Sequence, residues 1–312
     1  MNFEAVKGQE KAVHALRQIL KSAKIPSVFL FSGPDGVGKR LVADIFVKTV
    51  LCEAKDKERG FCGVCSSCLA AQQGVHPDFK MVDAAYQANL RDEEISKQRS
   101  LRVDTIRHLR SEMSMEPLMG GWKTALIVDA ETLEIESSNA LLKILEEPPR
   151  KTFWILLSSR FQALPKTILS RALRIDFAPI AKKQVREILA EKGIGAEEAL
   201  ELCAGSAGRA LEFSKRENWP GVLTESPLSA IEASESLPKD LPSARREADL
   251  IFFSLSENLR SFYHRGRISF SNFEKAAKTI AWLKNAVRSN ADPRSSVLLA
   301  CAEAQKAGLI NL

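Results

Sequence analysis

The chain has 312 residues, 45% of them hydrophobic and 27% charged, with a formal net charge of +6; that length suits two or three domains with cores of their own. No apolar run approaches a membrane span and no signal-peptide core opens the chain, so a cytoplasmic protein with no membrane partner is expected. The mild positive charge permits an acidic partner or nucleic acid without arguing for either. Six cysteines in a reducing compartment point to metal chemistry or buried thiols rather than disulfides.

Val6–Glu10 lead into a helical pattern through Val13, Leu16, Ile19 and Leu20, closed by Lys24-Ile25-Pro26. His14 in that helix reads as a surface or capping residue. Ser27–Ser32 is an apolar, β-prone run, and Gly33-Pro34-Asp35-Gly36-Val37-Gly38-Lys39-Arg40 follows it. Gly33, Gly38 and Lys39 fill the fixed places of the phosphate loop GxxxxGK[ST], whose glycines, here with Gly36 as well, turn N–H groups toward phosphate while the lysine adds positive charge. Leu41, Val42, Ile45, Phe46 and Val50 then repeat with helical period. A strand, a glycine turn and a helix N-terminus in that order form an anion site. Arg40 breaks the motif at its last place, where a hydroxyl would ligate Mg²⁺; arginine donates hydrogen bonds but cannot ligate a cation. A nucleotide-binding fold is expected, with ATP and Mg²⁺ as candidate ligands that this substitution disfavours.

Cys52, Cys62, Cys65 and Cys68 form a C-x9-C-x2-C-x2-C array with Gly60 and Gly63 at its bends. Four thiolates hold Zn²⁺ tetrahedrally and leave no place for water, so a structural zinc is expected there. Cys203 and Cys301 stand alone in helical patterns and read as buried apolar residues. Asp78–Asp83 is a candidate second strand, and the polar Ala84–Ser100 reads as an exposed connection. A helical pattern over Val103–Met113 ends before Pro117 and Gly120-Gly121.

Thr124–Asp129 is an apolar strand ending in a carboxylate, the place where such sheets keep an acid for Mg²⁺. The next residue is Ala130 where many nucleotide hydrolases keep a glutamate; Glu131 comes one place late and is expected to point elsewhere. Ser137–Glu147 is a helix stopped by Pro148-Pro149. Thr152–Ser158 is a buried strand, and Leu164–Arg171 leads to a last strand near Leu173–Phe177. Strands alternating with helices predict a three-layer α/β domain with a parallel sheet over residues 1–178.

Beyond Pro179 only helical periods occur, at 181–192, 196–203 and 207–217, with longer ones after the proline-rich stretch 237–242. Arg245–Arg265 and Phe273–Arg288 are amphipathic, the first through Leu250, Phe253, Leu255 and Leu259. A small helical domain over 179–217 and an all-helical one over 218–312 are expected.

Several stretches together resemble the clamp-loader subunits of bacterial DNA polymerase III, members of the AAA+ ATPases. They are VKGQEKAV, GPDGVGKR, the four-cysteine loop, SNALLKILEEPP, LPKTILSR, GSAGRAL (Gly205–Leu211) and Asn290–Leu299. The resemblance covers nearly the whole chain, and LLKILEEPP and ILSR are its most specific parts. It implies an AAA+ domain, a helical lid and a C-terminal collar for oligomerisation. It also implies the family's arginine finger at Arg171, in Ser170-Arg171-Ala172 where the family has Ser-Arg-Cys, a first sensor at Ser158 or Ser159, and a second at Arg209. The GKR ending and Ala130 are similar to the delta-prime type, whereas a gamma/tau motor would be expected to keep a threonine at 40 and an acid at 130. The resemblance thus implies a stator in a hetero-oligomeric ring with gamma/tau and delta subunits, meeting the sliding clamp and primed DNA through the complex. Two alternatives stay open: an active gamma/tau-type motor, and a zinc-containing nucleic-acid-binding module.

Overall fold

The computed structural model describes residues 2–54, 60–119, 121–195, 200, 203–214, 227–239, 241–288 and 291–309. The predicted helix at 196–203 falls mostly outside them, as do residues 215–217 of the next, the 217/218 boundary, Gly120 and Asn290. Five parallel strands form one sheet: β1 (Val28–Ser32), β2 (Phe79–Val82), β3 (Lys123–Ile127), β4 (Thr152–Ser158) and β5 (Leu173–Asp176), in the order β2-β3-β4-β1-β5. The helices of this part are α1 (Glu10–Ser22), α2 (Lys39–Leu51), α3 (Ser66–Gln72), α4 (Ala84–Arg91), α5 (Val103–Met113), α6 (Ile135–Glu146) and α7 (Lys166–Leu169). Then follow α8 (Lys182–Ala190), α9 (Ala207–Phe213), α10 (Pro227–Glu235), α11 (Leu241–His264), α12 (Phe270–Arg288) and α13 (Pro293–Ala304). None of the described helices is long and apolar enough to cross a membrane.

Every residue of β1, β3 and β4 is buried, because helices cover both faces of the sheet. Alternation along β1 shows the two layers. Val28 and Leu30 pack with Trp154, Leu156, Ile106 and Leu109 on one face, together with Leu141 and Leu145. Phe29 meets Phe46 of α2 at 5.2 Å and Phe153 at 6.2 Å on the other, both edge to face, the offset that ring quadrupoles favour. This is the predicted three-layer domain. β3 stops at Ile127, short of the expected Asp129, because Asp129 takes left-handed φ 51° and ψ 51° and turns the chain away.

Ala84–Ser100 corrects an expectation: it is not an exposed connection, since it contains α4. Asp83 caps that helix by accepting from the Tyr86 N–H at 2.9 Å. The fully buried Gln87 donates to Gln98 Oε1 and the Ser100 carbonyl and accepts from the Arg102 N–H and Thr105 Oγ1. A polar network holds the segment down, so it carries no apolar period.

The chain divides into two compact units, Met1–Ile188 with Gly205–Gly208, and Leu189–Ala204 with Arg209–Leu312. In the second, Ile251, Phe252, Leu255 and Leu259 of α11 pack with Ile280, Leu283 and Val287 of α12 and Val297 and Cys301 of α13. The stripe on α11 therefore runs through Phe252, not Phe253 as expected, one step of about 100° around the helix. Cys203 and Cys301 are buried as predicted, and burial pushes the Cys301 thiol up to about 12. Helix α10 precedes the proline-rich stretch, and α11 begins inside it, with Pro242 in a first turn where its missing N–H costs nothing.

Candidate functional site

β1 delivers the chain to the phosphate loop at the carboxyl end of the sheet. Gly33 is pinned there: its N–H donates to the Ser158 carbonyl at 3.2 Å, its φ is +153°, and a Cβ on it would lie 2.3 Å from the Phe177 carbonyl oxygen. Gly38 caps α2 with φ +103° and open space around it. Gly36 accepts a 2.8 Å bond from the Gly208 N–H of GSAGRAL. Lys39 is 8% exposed, and its ammonium donates to the carbonyls of Gly33 at 2.5 Å and Pro34 at 2.7 Å, with Asp35 at 3.8 Å. Lys39 thus satisfies the loop's own carbonyls, bonds that a phosphate ligand has to replace.

Carboxylates gather at the ends of the neighbouring strands. Asp129 follows β3, and its surroundings push its carboxyl above the ordinary range through desolvation first and then the charges of Glu131 and Asp35; Lys39 and Arg40 act against this. Arg40 reaches Asp83, just past β2, with Nη2 at 4.0 Å from Oδ2. Glu131 turns to the end of β4 and accepts from the Ser159 N–H at 3.1 Å and hydroxyl at 2.5 Å. Burial acts to raise that carboxyl, but the bonds from Ser159 and Ser158 hold it below the usual range. The motif residues are therefore brought together, but the donor set does not suit Mg²⁺. The hydroxyl is missing, and the side chain in its place carries a fixed positive charge.

The four cysteines also converge. Their Sγ atoms lie within 4.8 Å of one another, and Cys62 and Cys68 are 3.9 Å apart. A tetrahedral site with Zn–S of about 2.3 Å needs sulfurs about 3.8 Å apart. Backbone N–H groups point at the sulfurs, from Cys62 and Ala54 to Cys52 and from Cys68 to Cys65, at 3.3–3.4 Å. N–H bonds from Val64 and Cys65 lower the Cys62 thiol to about 6, whereas burial raises that of Cys68, which gives up its proton only to a bound metal. The donors fit a single metal ion with no open coordination place.

Arg171 lies elsewhere. β5 pairs with β1 in parallel with Leu173 opposite Phe29, so Arg171 sits at the amino end of the sheet. There it lines a groove of about 480 Å³ with Pro26, Ser27 and Glu146. Lys39 starts α2 beyond Ser32 at the carboxyl end; the five residues of β1 put roughly 16 Å of strand between the two edges. Arg171 is held by Glu146, Nη2 to Oε1 at 2.9 Å, and by the Thr167 carbonyl at 3.1 Å. Both partners of the ion pair are partly exposed, at 37% and 51%. Arg209, in the second unit, lays its guanidinium on the Phe253 ring at 3.8 Å.

Three contributors escaped the sequence reading. Asp83 and Glu146 each meet an arginine far away in the chain, and only the motif LLKILEEPP marked the second. Gln9, 4% exposed, ties the loop to the last strand by donating to the Val37 and Ala178 carbonyls at 3.1 and 2.7 Å; its signal was the motif VKGQEKAV.

Comparison with known proteins agrees with this geometry. Residues 8–181, more than half of the chain, match the family described as DNA polymerase III, delta subunit. DNA polymerase III subunit tau of Escherichia coli is 35% identical over 210 residues, 66% of this chain and 30% of that protein. The tau subunit of Bacillus subtilis is 33% identical over 210 residues, 66% of this chain and 35% of its own length. The delta' subunit of Pseudomonas aeruginosa is 35% identical over 146 residues, 47% of this chain and 41% of that one. The matches thus span about a third of the tau relatives. In fold, a DNA polymerase III gamma subunit-related protein of Thermotoga maritima superposes with a TM-score of 0.52 at 14% identity, covering 94% of this chain and 98% of that one. A parallel sheet carrying a phosphate loop, a helical C-terminal part and the match over residues 8–181 lead to one assignment: the chain belongs to the clamp-loader subunit family of bacterial DNA polymerase III.

Proposed function

We propose that this chain is a delta-prime-type stator: a poor ATPase that supplies Arg171 in trans to nucleotide bound by a neighbouring subunit while a ring of gamma/tau, delta and this chain loads a sliding clamp onto primed DNA. Residues 1–178 form the AAA+ domain, with a structural Zn²⁺ on Cys52, Cys62, Cys65 and Cys68; residues 179–217 are its lid and 218–312 its collar. The observation that carries the proposal is the separation of Arg171 from Lys39 by the length of a strand, from the amino to the carboxyl end of the sheet. An arginine there is remote from its own loop and open to another chain. Its partner Glu146 is a surface partner, and exposed pairs contribute only about 0–1 kcal/mol, so the guanidinium can leave it for phosphate oxygens, which it binds in bidentate fashion. Arg40 and Ala130, in place of a hydroxyl and an acid, support the passive half of the proposal.

A gamma/tau-type motor is the second reading, favoured by the length of the tau matches. Steady-state hydrolysis by the isolated chain separates the two. Reconstitution tests the stator directly. Adding the chain to a gamma/tau-type ATPase with a delta subunit should raise ATP turnover, and the Arg171→Ala chain should join the complex without raising it. Equal stimulation by both chains would overturn the proposal.

A further inference from the structure

At the phosphate loop a fixed positive charge, Arg40, stands where a metal-dependent site keeps a hydroxyl. Arg40 lies in the first turn of α2, a helix of 13 residues whose N-terminal N–H groups face the loop. Its guanidinium is 4.0 Å from Asp83 and close enough to Asp129 for its charge to act on that carboxyl. Asp83 and Asp129 follow the adjacent strands β2 and β3, paired in parallel with Val82 opposite Ile127. Two carboxylates at adjacent strand ends beside a phosphate loop are oxygen donors of the kind that recruits a hard divalent cation.

We propose that the Arg40 guanidinium takes the divalent cation's place at this loop, so that a nucleoside di- or triphosphate binds there as the metal-free anion. Arginine has five N–H donors and no acceptor, and it keeps its charge at every accessible pH. It therefore pairs with Asp83 and offsets part of the charge of Asp129 without ligating a metal, and it repels a dication brought to the same carboxylates. Toward phosphate oxygens it offers the paired donors that such anions accept. Lys39 contributes the second monocation once its ammonium exchanges the Gly33 and Pro34 carbonyls for phosphate. The two cations then do what Mg²⁺ and lysine do together elsewhere, with one difference. A nucleotide already complexed by Mg²⁺ carries less negative charge and brings a dication against Arg40, so it should bind no more tightly than the free form.

This inference rests on the loop being a phosphate site and is independent of what Arg171 does, which is read at a neighbour's site. The test is isothermal titration of ADP and of ATP into the full chain, once with excess Mg²⁺ and once with excess chelator. For the unaltered chain the dissociation constant should be equal or lower in chelator. Arg40→Thr, which restores the hydroxyl and removes the charge at an exposed position, should reverse the order and bind about tenfold more tightly with Mg²⁺, equivalent to about 1.4 kcal/mol. Arg40→Ala should lose affinity in both conditions. Tighter binding by the unaltered chain in Mg²⁺ than in chelator, or no binding in either condition, would overturn the proposal. Arg40→Thr behaving as the unaltered chain does would overturn it as well.

Discussion

Replacing Gly33 by alanine separates what the phosphate loop needs sterically from what it needs chemically. At φ +153° an added Cβ would sit 2.3 Å from the Phe177 carbonyl oxygen and 2.9 Å from the Phe177 Cβ. The obstructing oxygen is backbone, and its residue is fixed by a 2.7 Å bond from the Phe177 N–H to the Ser32 carbonyl, so it cannot swing aside as a side-chain end would. Backbone strain contributes about 1–3 kcal/mol, and overpacking a further ~1–3 kcal/mol. Gly38→Ala is the matched control: φ is +103°, but nothing lies within 4 Å of its Cβ, leaving only the ~1–3 kcal/mol of backbone strain. Urea unfolding of both variants, compared at constant m, reads the difference. Gly33→Ala should be the more destabilised by about 1–3 kcal/mol, a large share of a typical margin of about 5–15 kcal/mol. If the two variants lose the same stability, the close approach of Phe177 is not what demands glycine at position 33.

Protein purified without chelator should carry one Zn²⁺ by metal analysis, and Cys68→Ala, which removes a buried sulfur, should lower the stoichiometry well below one; an unchanged value would refute the four-sulfur site. Asp129→Asn should raise the melting temperature at pH 7. A carboxyl whose folded pKa is raised costs stability once pH exceeds its unfolded value of about 3.9, so the gain should vanish near pH 3, and a gain that persists there would contradict the assignment. Glu146→Gln should change stability by no more than about 1 kcal/mol, as befits an exposed pair, without lowering turnover of the assembled complex. A loss above about 3 kcal/mol is the mark of a buried pair and would make Arg171 structural.

The legible parts of the sequence were those where burial leaves a period or a run. β1 and β4 read as continuous apolar segments because both faces are covered, and α5 and α6 because each shows one face to the core. Helix α4 was illegible because Gln87 and Ala88 anchor it where the eye seeks large apolar residues. Phe252 and Phe253 were confused because neighbours on a helix differ only by rotation, and Arg209 stacked on Phe253 is a long-range fact. The same distinction runs through the site. The phosphate loop and the cysteine array are local in the chain, and their spacing announced them. The arginine pairs, Arg40 with Asp83 and Arg171 with Glu146, span 43 and 25 residues of chain (83 − 40 and 171 − 146) and needed the fold to appear.

The central claim, that Arg171 acts on a neighbour's nucleotide, is tested most directly on a single variant measured twice. Single-turnover ATP hydrolysis at the neighbouring subunit's site in the assembled complex carrying Arg171→Ala should fall by about 10³-fold or more, as expected for loss of a trans arginine. The melting temperature of the isolated chain should move by only the few degrees that an exposed pair worth about 1 kcal/mol allows. Unaltered hydrolysis, with or without a loss of chain stability, would contradict the account.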